Sequence, residues 1–346
     1  NLQISYFFLI RLEESMKIMV YEARPDERAD LEKQAALHGV ELSVTDAVPT
    51  LENASLAAGC IGVSILGQGC IDAALLDAYH ALGIRYLSTR TIGYDHIDLD
   101  HARSIGLRVC SASYAPNGVA DFTVMMILMC LRHYKQALWR GQVNDFSLTG
   151  LQGREMKDLT IGIIGTGRIG AQVARNLSGF GCRILAYDLR RNPAVEPQVT
   201  YVDFDTLLAQ SDVITLHMPL LDSNRHIINR ESIAKMRDGV VIVNCSRGEL
   251  ADIEALIEGI ETGKIGALGM DTVEGDEGII HADHRVDILP NRNWFYLHQF
   301  RNVIMTQHMA FYTDAAVSSM VDCGIGGICQ MAAGESCPTE LTGPVQ

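Results

Sequence analysis

The sequence predicts an α/β protein of two doubly wound domains, each a parallel sheet with helices on both faces. Three observations predict it. Short apolar runs alternate with amphipathic stretches along most of the chain, the pattern of strands joined by crossover helices. Residues 160–188 carry a strand, a glycine turn, a helix and a second strand in register. The chain has 346 residues, which at roughly 100–200 residues per domain makes two domains.

Residues 1–15 precede Met16, which reads as a natural start. Their apolar core lacks a basic n-region and a small-residue cleavage site, so they make a poor signal peptide. They are expected to be an upstream extension or an expression remnant and are left out of the fold. From Lys17 the stretches KIMVYE, ELSVT, IGVSIL, RYLST and LRVCS are expected strands. RADLEKQAALHG, DAALLDAYHALG and DHARSIG are the helices between them, and each ends in glycine as C-caps do. Pro116-Asn117 breaks the pattern. Residues 118–134 then form a helix so apolar that it should be buried on most sides, with Met125, Met126 and Met129 as core. It suits a domain boundary or a subunit interface.

The glycine turn is Gly165-Thr166-Gly167-Arg168-Ile169-Gly170. Ile169, Val173, Ala174 and Leu177 recur on one helical face after it, and residues 182–188 make a strand ending in Asp188. Each part has a job in holding a dinucleotide. Gly165 allows a tight turn, Gly167 lets backbone approach a pyrophosphate, and Gly170 lets helix and strand pack closely. The pyrophosphate would sit on the amides at the helix N-terminus. Asp188 follows Gly170 by 18 residues, the place for an acid that binds ribose hydroxyls and repels a 2′-phosphate. NADH is therefore expected over NADPH, although Arg190 and Arg191 are the residue type that accommodates such a phosphate.

Further αβ repeats follow, with strands DVITLHM, GVVIVNCS, IGALGMD and NVIMTQH and helices RESIAKM and DIEALIEGIETG. A last helix, 313–331, is expected to return to the first domain. The expected division is 16–116 with 307–346 for one domain and 117–306 for the dinucleotide domain.

Charged residues make up 20% and hydrophobic ones 48%, an ordinary globular balance. A formal net charge of −14 without a Lys/Arg-rich run argues against nucleic acid or an anionic membrane surface as partner. The longest strongly apolar stretch picked out, 124–131, is too short to span a bilayer. The nine cysteines form no CxxC pair or zinc spacing, so free thiols in a reducing cytoplasm and no metal site are expected.

The motifs taken together resemble the D-isomer-specific 2-hydroxyacid dehydrogenases, most closely the D-lactate dehydrogenase-like branch. They are Gly93-Tyr94-Asp95-His96-Ile97-Asp98, Tyr114-Ala115-Pro116-Asn117, the glycine turn, His217-Met218-Pro219, Asn244-Cys245-Ser246-Arg247-Gly248, Gly269-Met270-Asp271 and His308-Met309-Ala310-Phe311-Tyr312-Thr313. The resemblance implies a Rossmann NAD-binding domain and a flavodoxin-like substrate domain. It implies reversible hydride transfer between NADH and a small 2-keto acid, pyruvate and D-lactate first, and the apolar helix 118–134 points to a homodimer. Arg247 would bind the substrate carboxylate, with the bidentate fork that lysine lacks. His308, read as the end of its strand, would be the general acid in reduction. The family's glutamate partner for that histidine falls here on Asp276, one methylene shorter, with Glu277 next to it. Either could orient His308, and the partner would raise its pKa. Gln307 stands where the family commonly has proline.

The same resemblance places Asp271 at the nicotinamide carboxamide, His217, Met218 and Pro219 along the cofactor, and Ser246 near the nicotinamide ribose. Leu66-Gly67-Gln68 and Gly93-Tyr94 would offer amides to the substrate carboxylate. Tyr114 with Phe311 or Tyr312 would wall the side-chain pocket. Two alternatives remain open. One is a relative reducing larger acids such as 2-ketoglutarate or 2-ketoisocaproate. The other is an NADH-sensing corepressor-like binding protein, which can retain the same arginine and histidine.

Overall fold

The computed structural model describes residues 16–343, so the expectation for residues 1–15 lies outside it. The chain divides into two compact units. One runs through Ala115 and resumes at Thr313; the other is Pro116–Tyr312. The second crossing thus falls six residues after the boundary read from the sequence, and His308 and Phe311 belong with Pro116–Tyr312.

In the first unit the strands are β1 (Lys17–Val20), β2 (Glu41–Val44), β3 (Gly62–Ile65), β4 (Tyr86–Thr89) and β5 (Arg108–Cys110). They pair in parallel in the order β2-β1-β3-β4-β5, the flavodoxin-like winding. Helix Asp314–Ala332 returns to this unit and packs on β3, β4, β5 and helix Arg28–His38. By length and composition alone it could cross a bilayer, which the sequence reading overlooked. Here Val321, Ile325, Ile328 and Met331 are buried in the unit's core. Each such side chain contributes about 1.5–3 kcal/mol. Arg90, fully buried after β4, pairs with buried Glu27 at 3.0 Å and donates to the Tyr21 carbonyl at 2.9 Å and the Glu22 carbonyl at 3.3 Å.

The second unit holds β6 (Thr160–Ile164), β7 (Arg183–Tyr187), β8 (Thr200–Tyr201), β9 (Val213–Leu216), β10 (Val240–Asn244), β11 (Ile265–Met270) and β12 (Val303–Met305). All pair in parallel in the order β12-β11-β10-β9-β6-β7-β8. This is the Rossmann winding, with its switch point between β6 and β9. β6, β9 and β10 are buried at every residue, which is why they read as unbroken apolar runs.

Helices Tyr134–Gln142, Phe204–Gln210 and Arg292–Gln299, and the two-residue β8, were not read from the sequence. Two of these helices had a legible start. Asp203 accepts from the Thr206 amide at 2.8 Å and Asn291 from the Trp294 amide at 3.0 Å, both N-cap bonds. Met125, expected in the core, is 41% exposed, whereas Met126 is buried. β12 stops at Met305, so His308 lies three residues beyond the strand it was expected to end.

Candidate active site

The candidate residues of Pro116–Tyr312 hang from the carboxyl ends of parallel strands, where a doubly wound sheet leaves its ligand crevice. β6 runs into the glycine turn. Gly165 turns the chain at φ +93°, and a Cβ there would come within 2.5 Å of the His217 carbonyl oxygen. A Cβ on Gly170 would lie 2.0 Å from the Gly165 carbonyl oxygen, so no larger residue lets helix Arg168–Ser178 start this close to β6. At Gly167 a Cβ would meet nothing within 4 Å, and the helix has no side-chain cap. The space beside Gly167 at this helix N-terminus suits a pyrophosphate.

Asp188, just past β7, is locked to that turn. Its Oδ2 accepts from the Thr166 amide at 2.6 Å and hydroxyl at 3.0 Å, and its Oδ1 from the Arg190 amide at 2.9 Å. The Tyr201 hydroxyl donates to Thr166 Oγ1 and Asn192 Nδ2 to the Thr166 carbonyl, both at 2.8 Å. Tyr201 and Asn192 brace the turn, and the sequence reading missed both. Arg191 lies over the Tyr201 ring, 5.5 Å from its centroid.

Past β9, His217 Nε2 lies 2.9 Å from the Thr215 hydroxyl, while its buried Nδ1 has no hydrogen-bond partner among the described residues. Burial pushes this imidazole down to about 3, so it is neutral. A buried nitrogen left unsatisfied beside the glycine turn is a group that a bound dinucleotide can satisfy. Ser246 Oγ donates to the Met218 carbonyl at 2.6 Å, and the Pro219 carbonyl accepts from Asn224 at 2.8 Å. Those three expected cofactor residues thus form a tied loop pair.

Arg247, Asp271 and His308 follow the ends of β10, β11 and β12, three neighbouring strands. Gly248 lets this happen at Arg247, since a Cβ there would fall 2.3 Å from the Val273 carbonyl carbon. Asp271 is buried, and its carboxylate organises the loop after β12. Oδ1 accepts from the Thr306 hydroxyl at 2.6 Å and the Met309 amide at 2.9 Å; Oδ2 accepts from the Ala310 amide at 2.8 Å. Its side chain thus holds the His308 loop from both oxygens. His308 sits in this loop at φ +53°, a left-handed conformation that a non-glycine residue keeps only when its surroundings enforce it.

The surroundings of His308 also set its protonation. Burial pushes its imidazole down to about 4, Asp271 pulls it up, and the Arg247 guanidinium and the neighbouring His281 push it down. The expected rise is therefore corrected: desolvation outweighs the one carboxylate. That carboxylate is not Asp276 either. Asp276 accepts from the Val273 amide at 3.1 Å, closing its own turn, and burial lifts its carboxyl to about 6. Glu277 is exposed. Among the described residues no carboxylate hydrogen-bonds the His308 ring, so the expected partnership is not formed by Asp276 or Glu277. The shorter side chain is spent locally instead. His281, unremarked in the sequence, donates from Nε2 to the His308 carbonyl at 3.2 Å, and Phe311 meets the His308 ring edge-on at 6.4 Å between centroids. Tyr312 packs edge-on to Phe311.

The remaining expected substrate residues lie in the first unit. The Gly67 amide donates to Glu22 Oε2 at 2.9 Å. The Gly93 carbonyl accepts from the Thr91 hydroxyl at 2.6 Å, Tyr94 is exposed and Tyr114 is half-buried.

A profile of the D-isomer specific 2-hydroxyacid dehydrogenase NAD binding domain matches residues 124–310. The aromatic 2-oxoacid reductase of Clostridium sporogenes is 42% identical over 311 residues, 89% of this chain and 93% of that protein. The chain belongs to the D-isomer-specific 2-hydroxyacid dehydrogenase family. Escherichia coli D-lactate dehydrogenase is 36% identical over 94% of this chain and 100% of its own length. The NAD-complexed D-isomer specific 2-hydroxyacid dehydrogenase of Lactobacillus delbrueckii ssp. bulgaricus superposes with TM-score 0.82 at 30% identity, covering 94% of this chain and 100% of that one. This dehydrogenase is thus an NAD-dependent oxidoreductase of the D-lactate dehydrogenase-like branch, with a Rossmann domain and a substrate domain.

Proposed function

We propose that this dehydrogenase reduces a 2-keto acid with an uncharged side chain, pyruvate to D-lactate first among them. The observation that carries the reading is Arg247 and His308 at the ends of strands flanking β11, close enough for the cation to act on the imidazole. Arg247 receives the substrate carboxylate in a fork and polarises the adjacent carbonyl. His308 gives its proton to the carbonyl oxygen and takes it back in oxidation. Asp271 positions His308 by holding the chain on either side of it. NADH, when bound, supplies the hydride that the carbonyl carbon accepts. The similarity to D-lactate dehydrogenase supports pyruvate. A second reading, an aromatic 2-oxo acid, is favoured by Phe311 and Tyr312 beside His308 and by the clostridial relative.

The test is a panel of pyruvate, 2-ketoisocaproate, phenylpyruvate and 2-ketoglutarate with NADH and with NADPH. Pyruvate should give the highest kcat/KM. Phenylpyruvate ahead by an order of magnitude moves the assignment to the second reading, and no turnover with any acid leaves a binding role only. NADH should far outperform NADPH, because Asp188 repels a 2′-phosphate. Equal efficiency would sink that role for Asp188.

The same unit also presents apolar surface suited to a second copy of this chain. Met125 and Phe180 border a groove between helices Asn117–Leu131 and Arg168–Ser178. Trp139, Phe146 and Leu148 are 65%, 79% and 84% exposed. Apolar patches of this kind mark interaction sites. Sedimentation should show a homodimer that Trp139→Glu weakens; a monomer at micromolar concentration would overturn it.

A further inference from the structure

Within the first unit, the tail of the chain brings a second thiol against a sealed one. After helix Asp314–Ala332 the chain turns and runs along β5, with Glu340 bridged antiparallel to Cys110. The Ser111 amide donates to the Thr339 carbonyl at 3.1 Å, and the Leu341 amide to the Val109 carbonyl at 2.8 Å. Arg108 grips Glu340 in a fork, at 2.8 Å and 2.6 Å. In this register Cys337 meets Cys110, and both sulfurs sit beside Gly327 of the helix. A Cβ there would lie 2.7 Å from Cys110 Sγ and 3.5 Å from Cys337 Sγ. Glycine is a poor helix former, and here its missing side chain is the room that the two sulfurs fill.

The two thiols are unlike. Cys110 is 0% exposed and Cys337 8%, so a small oxidant meets Cys337 first. The Cys110 S–H donates to Cys337 and, against burial, draws that thiol down to about 6. Thr339 helps, its hydroxyl 3.6 Å from Cys337 Sγ, while Glu340 opposes the thiolate. Cys110 is pushed well above the usual thiol range by Cys337 and by burial. Cys323, the third thiol nearby, is raised by burial and donates instead to the Ser113 carbonyl at 3.5 Å. A thiolate near neutrality with a second thiol in contact can exchange between dithiol and disulfide.

We infer that Cys337 and Cys110 are a modification site of the first unit, a dithiol that a peroxide closes to a disulfide. The Cys337 thiolate bonds one peroxide oxygen, the O–O bond breaks, and hydroxide leaves to become water. The Cys110 sulfur then attacks the sulfenic acid so formed. The S–S bond forms, the S–O bond breaks, and a second water leaves with the Cys110 proton. Two thiols and one peroxide give one disulfide and two waters, and a dithiol reductant reverses the closure by exchange. The bond joins the two separate stretches of the unit, since Cys110 precedes Pro116–Tyr312 in the chain and Cys337 follows it. Neither cysteine is assigned to cofactor or substrate, so failure here leaves the substrate reading untouched.

In the test, the reduced protein is treated with equimolar hydrogen peroxide at neutral pH, quenched with iodoacetamide and mapped by peptide mass. The Cys110 and Cys337 peptides should appear joined, two hydrogens lighter than their sum, and dithiothreitol should separate them. Closure should slow hydrogen exchange at the Ser111 and Leu341 amides by about tenfold or more. Labelling of reduced Cys337 should titrate near pH 6, and Cys110→Ala should move that midpoint up towards the ordinary thiol value of about 8.5. If Cys110→Ala does not fold, the wild-type titration and peptide map decide alone. Oxidation falling on exposed Cys70 or on Cys323 with the pair left reduced would overturn the inference. So would Cys337 passing to sulfinic acid without joining Cys110, or a wild-type labelling midpoint in the ordinary thiol range.

Discussion

Replacing His308 with alanine lowers kcat for keto-acid reduction by about 10²–10⁴-fold, the usual contribution of a general acid, and leaves NADH affinity within a few-fold of wild type. The split follows from where the groups lie. The dinucleotide features follow β6, β7 and β9, whereas His308 follows β12 at the other end of the sheet order. Truncating it removes the proton donor and leaves the glycine turn and Asp188 untouched. The wild type should also show the cost of burial. With the imidazole pushed down to about 4, the protonated form is scarce near neutrality, so kcat/KM for reduction should fall as pH rises above that value. Oxidation of the hydroxy acid needs the neutral base and should rise over the same range. Turnover within a few-fold of wild type in His308→Ala would show that another group supplies the proton.

The second large effect is expected at Asp271 and not at Asp276. Asp271→Asn puts an NH2 where a carboxylate oxygen accepted from Thr306, Met309 or Ala310, leaving at least one buried donor unsatisfied at about 1–3 kcal/mol. The left-handed His308 is then no longer held from both sides. We expect kcat to drop about tenfold or more, equivalent to about 1.4 kcal/mol in the barrier. Asp271 is also the carboxylate that favours the His308 cation, so its removal lowers the imidazole pKa further. The fall in reduction should therefore move to lower pH. Asp276→Asn keeps a carbonyl oxygen for the Val273 amide and removes a carboxyl already raised to about 6, so kcat should stay within about threefold, under 1 kcal/mol. An acid-shifted profile in Asp276→Asn, with none in Asp271→Asn, would restore the partner first read from the sequence.

What the sequence by itself determined is local in character. The strands and helices of both sheets, the glycine turn with Asp188, and the identities of Arg247 and His308 all rest on spacings within one βαβ unit or one strand end. At that range chain geometry alone brings the residues together, so pattern is enough. The short β8 and helix Arg292–Gln299 escaped because two residues carry no period and RNWFYLHQ buries only Leu297.

Only the tertiary structure decided who touches whom across the sheet ends. Asp271 holds Met309 and Ala310 because β11 and β12 pair in one particular register, which places their loops together. Asp276 turns back to Val273 because its side chain reaches that amide first. Tyr201 reaches Thr166 through the pairing of β7 with β8, and Glu22 reaches residues 66–69 through the pairing of β1 with β3. The pKa of His308 belongs to the same class. A partner carboxylate is legible as a motif, but desolvation depends on everything packed around the ring, and here desolvation is the larger effect.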